Sequence, residues 1–217
     1  MGIIRQGILG GFRNKTGSVV GAYWRKLNVI RGLPRKSSKP PTQAQLNQQF
    51  KFGLVTRFLS LLGDLIELGF KSVTGSSASP MNYAVAYHLK NAITGVAPDF
   101  TIDYPKVIFS KGKLELPNDA DATSNPGAEL IFNWMPGGPD DKYLDGTDML
   151  TILLYNPTLD RFVKLINAAP RSAGTFTLNV PATYGSHEVH CYISFNSVKT
   201  KFLASNSLYL GRVPIIP

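Results

Sequence analysis

The side chains able to do chemistry are few and poorly grouped. The 217-residue chain has three histidines, His88, His187 and His190, and one cysteine, Cys191. A nucleophilic mechanism needs a Ser or Cys beside a base and an orienting acid, yet no Ser sits in a Gly-x-Ser-x-Gly elbow. P-loop, dinucleotide-binding and His-Glu-x-x-His patterns do not occur. Cys191 lies inside the apolar run HCYISF, which reads as a buried strand residue. His187 and His190 are three apart on that strand and point to opposite faces, so they do not chelate one metal together. His190 and Tyr192 share a face, which predicts packing. His88 falls near the end of an amphipathic helix and reads as structural. No catalytic residue, cofactor or metal site follows, and the sequence predicts a non-enzymatic protein.

Acidic side chains do cluster once. Asp140, Asp141, Asp145 and Asp148 fall within nine residues of the loop PGGPDDKYLDGTD. Such carboxylates can ligate Ca²⁺, which takes ~6–8 oxygens. The spacing departs from the EF-hand loop, however, and Lys142 intrudes. The reading preferred over a calcium site is a solvated acidic loop, or a complement to a basic segment.

The basic segment lies at the start of the chain. Residues 1–63 hold eleven Lys and Arg and no Asp or Glu, whereas the rest of the chain carries 12 bases against 14 acids. The net charge of +9 therefore resides entirely in the first third. Arg5, Arg13, Lys15, Arg25, Lys26, Arg31, Arg35, Lys36 and Lys39 are the residues expected to meet nucleic acid or an acidic partner.

The elements that must position these groups follow from periodicity and punctuation. Residues 1–16 are too glycine-rich for a helix. Val19, Val20, Tyr23 and Trp24 favour a strand, and a turn near Arg25–Lys26 returns the chain through Leu27–Leu33 as a hairpin. A two-stranded ribbon cannot bury Val19, Val20, Tyr23, Trp24, Val29 and Ile30 together. The proline-rich PRKSSKPP reads as a linker. Thr42 and Gln45 form a capping box opening a helix that runs to about Phe70, with a break near Gly63. Its predicted apolar stripe includes Leu46, Phe50 and Phe58. Ser79 and Pro80 start a second helix, which Gly95 ends.

From about residue 102 the period becomes two. Predicted strands cover 106–109, 114–116, 129–134, 149–155, 162–166, 175–180, 188–195 and 207–210, separated by Gly- and Pro-bearing turns. The fold class is thus α+β: a basic hairpin arm (1–41), a segment of two helices (42–97) and an antiparallel Ig- or fibronectin-like β-sandwich (98–217). A content of 43% apolar residues supports a packed core, and a single cysteine excludes a disulfide framework. No apolar run reaches the length of a membrane helix. MGIIRQGILGGFRNKTG lacks the centre of a signal peptide, which predicts cytosolic synthesis.

Two resemblances add to this reading. Asn133-Trp134-Met135-Pro136 resembles the end of a fibronectin type III B strand, displaced by one position. Thr151-x-Leu153-x-Tyr155 fits a C strand and His190-x-Tyr192-x-Ser194 an F strand, while Tyr184 stands off the usual tyrosine-corner position. Gly7-Ile-Leu-Gly-Gly11, Gly17-Ser-Val-Val-Gly21, Trp24-Arg-Lys, Val29-Ile-Arg31, Lys39-Pro-Pro-Thr42 and Gln45–Phe52 resemble an uncharacterised family common in Bacteroidota, the domain of unknown function DUF6266. That resemblance implies a glycine-rich basic start, an amphipathic helix and a β-rich C-terminal half, and no activity. The layout is also similar to that of bacteriophage virion and tail subunits.

Two functions are expected. The first is self-assembly into a filament, shell or phage-like particle. Val19, Val20, Tyr23, Trp24, Val29, Ile30, Leu46, Phe50 and Phe58 would be the contacts, with Asp140, Asp141, Asp145 and Asp148 of the next copy as acidic complement. The alternative is binding of DNA or RNA by residues 1–60, alone or combined with assembly.

Overall fold

A computed structural model describes residues 2–4, 11–24, 26–35, 38–73, 78–139 and 142–217. The chain divides into two compact units, Met1–Thr42 and Gln43–Pro217.

The described residues of the first unit form one antiparallel sheet. Strands β1 (Gly2–Ile4), β2 (Asn14–Thr16), β3 (Val19–Trp24) and β4 (Leu27–Gly32) are ordered β1-β4-β3-β2. The predicted hairpin is β3–β4, with Trp24 opposite Leu27 and Lys26 at φ 65° in the turn. The expectation of a two-stranded ribbon is corrected. The hairpin gains a short strand at each edge, because backbone pairing asks little of the side chains in GII and NKT. Gly21 is needed where Phe12 crosses β3, since a Cβ there would lie 2.3 Å from the Phe12 carbonyl oxygen.

The second unit begins with helices α1 (Gln43–Ser60), α2 (Gly63–Phe70) and α3 (Pro80–Asn91). The predicted break falls at Leu61–Leu62. The Ser79 hydroxyl accepts the Asn82 N–H at 3.1 Å, so α3 starts at the predicted cap. It ends at Asn91 rather than at Gly95, which adopts φ 89° inside the hairpin β5 (Ile93–Val96)–β6 (Asp99–Ile102).

The sandwich follows. β7 (Asn118–Asn125), β8 (Glu129–Met135) and β11 (Thr175–Asn179) form a sheet ordered β11-β8-β7. β9 (Met149–Asn156), β10 (Arg161–Leu165), β12 (Glu188–Asn196) and β13 (Leu208–Pro214) form the other, ordered β10-β9-β12-β13. The resemblance to C and F strands corresponds to the pairing of β9 with β12, and β8 lies in the opposite sheet as a B strand does. Residues 106–109 form no regular strand, and Leu114 makes only one isolated bridge, to Ser205.

Strands β9 and β12 are buried on both faces, which explains their near-continuous apolar sequences. Leu150, Ile152, Leu154, Val189, Cys191, Ile193 and Phe195 face the inter-sheet core with Leu130, Phe132 and Trp134. Leu153, Tyr155 and Tyr192 face the helices and pack with Val55, Phe58, Leu59, Leu62, Ile66 and Phe70. The helices thus share a core with the sandwich as a third layer. The buried helical stripe runs through Val55, Leu59 and Leu62, while Phe50 and Phe52 near the start of α1 stay about half exposed.

Candidate interaction surfaces and buried ionic sites

The pleat of the N-terminal sheet sorts its side chains onto two faces. On one face, Ile3, Ala22 and Val29 form a row across β1, β3 and β4, beside the pair Trp24–Leu27. Lys15, Val20 and Arg31 form the next row. Ile3, Trp24 and Leu27 are 51%, 53% and 40% exposed. On the other face, Tyr23 pairs with Asn28, and the Arg13 guanidinium lies over the Tyr23 ring, 5.4 Å from its centroid. Hollows of about 340 Å³ and 310 Å³ open on these two faces.

Arg13, Lys15, Lys26, Arg31, Arg35 and Lys39 are exposed, whereas Val19, Val20, Ile30 and Leu46 are half-buried. Tyr23, Trp24 and Phe50 are exposed. Val29 and Phe58 are corrected as contact residues, since both are buried. Phe58 packs edge-on against Tyr155 and Phe162 at 5.3 Å and 5.1 Å, so the sandwich already occupies it. Arg5, Arg25, Lys36, Asp140 and Asp141 lie outside the described residues.

The acidic complement is corrected at its other two members. Asp145 is buried, ion-paired with Lys199, and accepts the Thr147 backbone N–H (2.9 Å) and hydroxyl (2.6 Å). Those hydrogen bonds, the Lys199 one foremost, hold its pKa at about 2. Asp148 is fully buried and faces Arg171, Nε to Oδ2 at 3.5 Å. Burial raises the Asp148 carboxyl pKa despite the guanidinium beside it. Both carboxylates turn inward, because each meets a cation from a distant part of the same unit. Among the described residues no three His, Cys, Asp or Glu side chains gather as a metal site.

Arg171 is the ionic residue that sequence reasoning missed. Its side chain is completely buried, donates to the Glu115 carbonyl at 2.8 Å and lies 4.1 Å from the Phe195 ring centroid. Its own carbonyl accepts the Trp134 indole N–H at 2.7 Å. The only sequence signal is its place after Pro170, opening a short 3₁₀ turn.

His88, His190 and Cys191 all lie inside the fold. His88 is buried, with Nδ1 2.7 Å from the Ala84 carbonyl oxygen and Nε2 accepting the Ile108 N–H at 3.3 Å. Burial lowers its pKa, consistent with a neutral ring holding α3 to the following segment. His190 rests against Tyr104 at 4.3 Å between centroids, with Nδ1 2.8 Å from the Tyr209 hydroxyl. Its pKa too is lowered, first by burial and then by Arg212. A cavity of about 270 Å³ opens between α1, β6 and β9, lined by Leu54, Phe58, Tyr104 and Tyr155. At its rim Asp160 already accepts from Tyr155 and Arg57, each at 3.0 Å.

Among the described residues no helix is long and apolar enough to cross a membrane. A comparison with curated proteins finds no match. Among solved structures, the solution structure of the fn3 domain of human collagen alpha-1(XX) chain aligns at 13% identity with a TM-score of 0.36. It covers 50% of this chain and 90% of that one. The crystal structure of chicken CNTN1 FN1–FN3 domains aligns at 14% identity with a TM-score of 0.37, over 49% of this chain and 35% of that one. Residues 10–211 match the family described as "Family of unknown function (DUF6266)", and the chain belongs to that family.

Proposed function

We propose that this protein is a non-enzymatic structural subunit that assembles with copies of itself, as part of a filament or shell, through the apolar face of its N-terminal sheet. The observation that carries this reading is the exposure of Ile3, Trp24 and Leu27 around the buried Val29 on one face of the sheet. Single-layer sheets are stable when an apolar face is covered. Covering these three side chains removes on the order of 300 Å², about 7–8 kcal/mol at ~25 cal/mol per Å². Association costs ~4–15 kcal/mol, so one such contact is weak and assembly depends on concentration.

Charge selects the partner surface. The first unit carries nine bases and no acid, whereas residues 43–217 carry 14 of each. Two first units placed face to face repel. The favoured contact is therefore heterologous, with the sheet of one copy on the second unit of another, and such contacts build rings or open filaments.

Sedimentation velocity from micromolar to submillimolar protein, with negative-stain imaging of the same samples, tests the proposal. Growth of larger species with concentration, reduced by Trp24→Ser, is the expected result. A monomer across the whole range refutes it.

A further inference from the structure

We infer that the opposite face of the N-terminal sheet, built around Tyr23 and Arg13, binds single-stranded nucleic acid. Strand alternation places Tyr23, Asn28 and Asn14 on this face, away from Trp24 and Leu27. Tyr23 is 51% exposed, and the Arg13 guanidinium lies over its ring. Phe12 crosses the same face above Gly21, and the hollow between Arg13, Asn14, Gly21 and Tyr23 is about 310 Å³. Lys26 stands in the adjoining turn. Asn28 is half-buried beneath Gly11, so the groups left open beside the Phe12 crossing are the Tyr23 ring, the Arg13 guanidinium and the Asn14 amide, which are groups that stack and hydrogen-bond unpaired bases.

The charge identifies the ligand as a polyanion. Residues 1–63 contain no carboxylate side chain that would compete for these bases. Phosphates along a strand would neutralise Arg13, Lys26 and the cations at the sheet margins, releasing counterions. The aromatic ring then selects single strands over duplex, because paired and stacked bases have no free face to offer. The inference does not depend on the assembly proposed above, since the two use opposite faces.

The test is fluorescence anisotropy of short labelled oligo(dT), oligo(U) and a duplex of equal length with the full chain, at protein concentrations below any association. Oligo(dT) or oligo(U) should bind at low salt and weaken steeply as salt rises. Tyr23→Ala should weaken binding about tenfold or more, the equivalent of one lost base stack at ~1–3 kcal/mol, while Tyr23→Phe stays within about twofold. Arg13→Ala should reduce the log–log salt slope by about one. Trp24→Ala should leave affinity within about twofold, a control that separates the faces. Circular dichroism confirms folding of each variant. No single-strand binding at low salt, equal affinity of Tyr23→Ala and wild type, equal affinity for duplex, or an equal loss in Trp24→Ala would each overturn the inference.

Discussion

Replacing Arg171 by Met should be among the most damaging single changes in this chain. Both members of the Arg171–Asp148 pair have fully buried side chains. The substitution strips the counter-charge from a carboxylate that already accepts the Asp145 N–H at 3.2 Å, and removes the donor to the Glu115 carbonyl. Breaking a buried pair in this way costs about 3–5 kcal/mol. Burial already raises the Asp148 pKa, so in the variant Asp148 should take up a proton, which keeps the cost towards the lower end of that range. Arg171→Met/Asp148→Asn removes both charges and should lie within about 1–2 kcal/mol of wild type, because the desolvation of two ions disappears with their attraction. Asp148→Asn alone, which leaves the buried Arg171 without its counter-charge, should cost at least about 1 kcal/mol, so the coupling between the two changes should reach at least about 2 kcal/mol. Urea unfolding followed by tryptophan emission suits this test, since Trp134 is buried and its indole N–H bonds to the Arg171 carbonyl. A single-variant cost below about 1 kcal/mol, or strict additivity in the cycle, would refute the reasoning.

Four further outcomes are expected. Gly69→Ala should destabilise by about 1–3 kcal/mol, because its Cβ would lie 2.5 Å from the Phe109 carbonyl oxygen and 2.6 Å from Ser110 Cα. Gly53→Ala, in open space on α1, should stabilise by about 0.5–1 kcal/mol, and urea midpoints decide both. Cys191, whose thiol pKa burial pushes up to about 12, should resist a disulfide reagent at mildly alkaline pH until denaturant is added; rapid native labelling would contradict its place in the core. Asp145 has a folded pKa of about 2 against an ordinary 3.8, so its contribution is full above the unfolded value and fades as pH falls towards 2. Asp145→Asn should flatten the loss of stability over that interval, and an unchanged pH profile would count against the Lys199–Asp145 pairing.

Much of the second unit was legible because its signals are local. Ser79–Pro80 announces α3 through one hydroxyl and one ring, and the near-continuous apolar runs of β9 and β12 mark strands covered on both faces. β7 was not legible, because NDADATSN offers only Ala120 and Ala122 to the core and is held as an edge strand by its pairing with β8. β13 extends past the predicted 207–210 to Pro214, beyond an irregularity in its pairing with β12 and a glycine at φ 112°. The short strands β1 and β2 were hidden for the same reason as β7: pairing with a neighbour, not side-chain pattern, makes them strands.

The candidate surfaces divide along the same line. The charge imbalance and the run of aromatic and β-branched residues in the hairpin are properties of the residue order, and no fold could alter them. Which face of the sheet each aromatic ring occupies required the register, since adjacent residues Tyr23 and Trp24 point opposite ways. The fate of Asp145 and Asp148 required more still. Their cations, Lys199 and Arg171, lie 54 and 23 positions further along the chain, and a cluster that reads as a solvated acidic loop is partly interior. Helix and strand periods are set by neighbours a few residues apart, but the partner of a buried charge is set by packing, which brings together segments that composition and spacing leave unrelated.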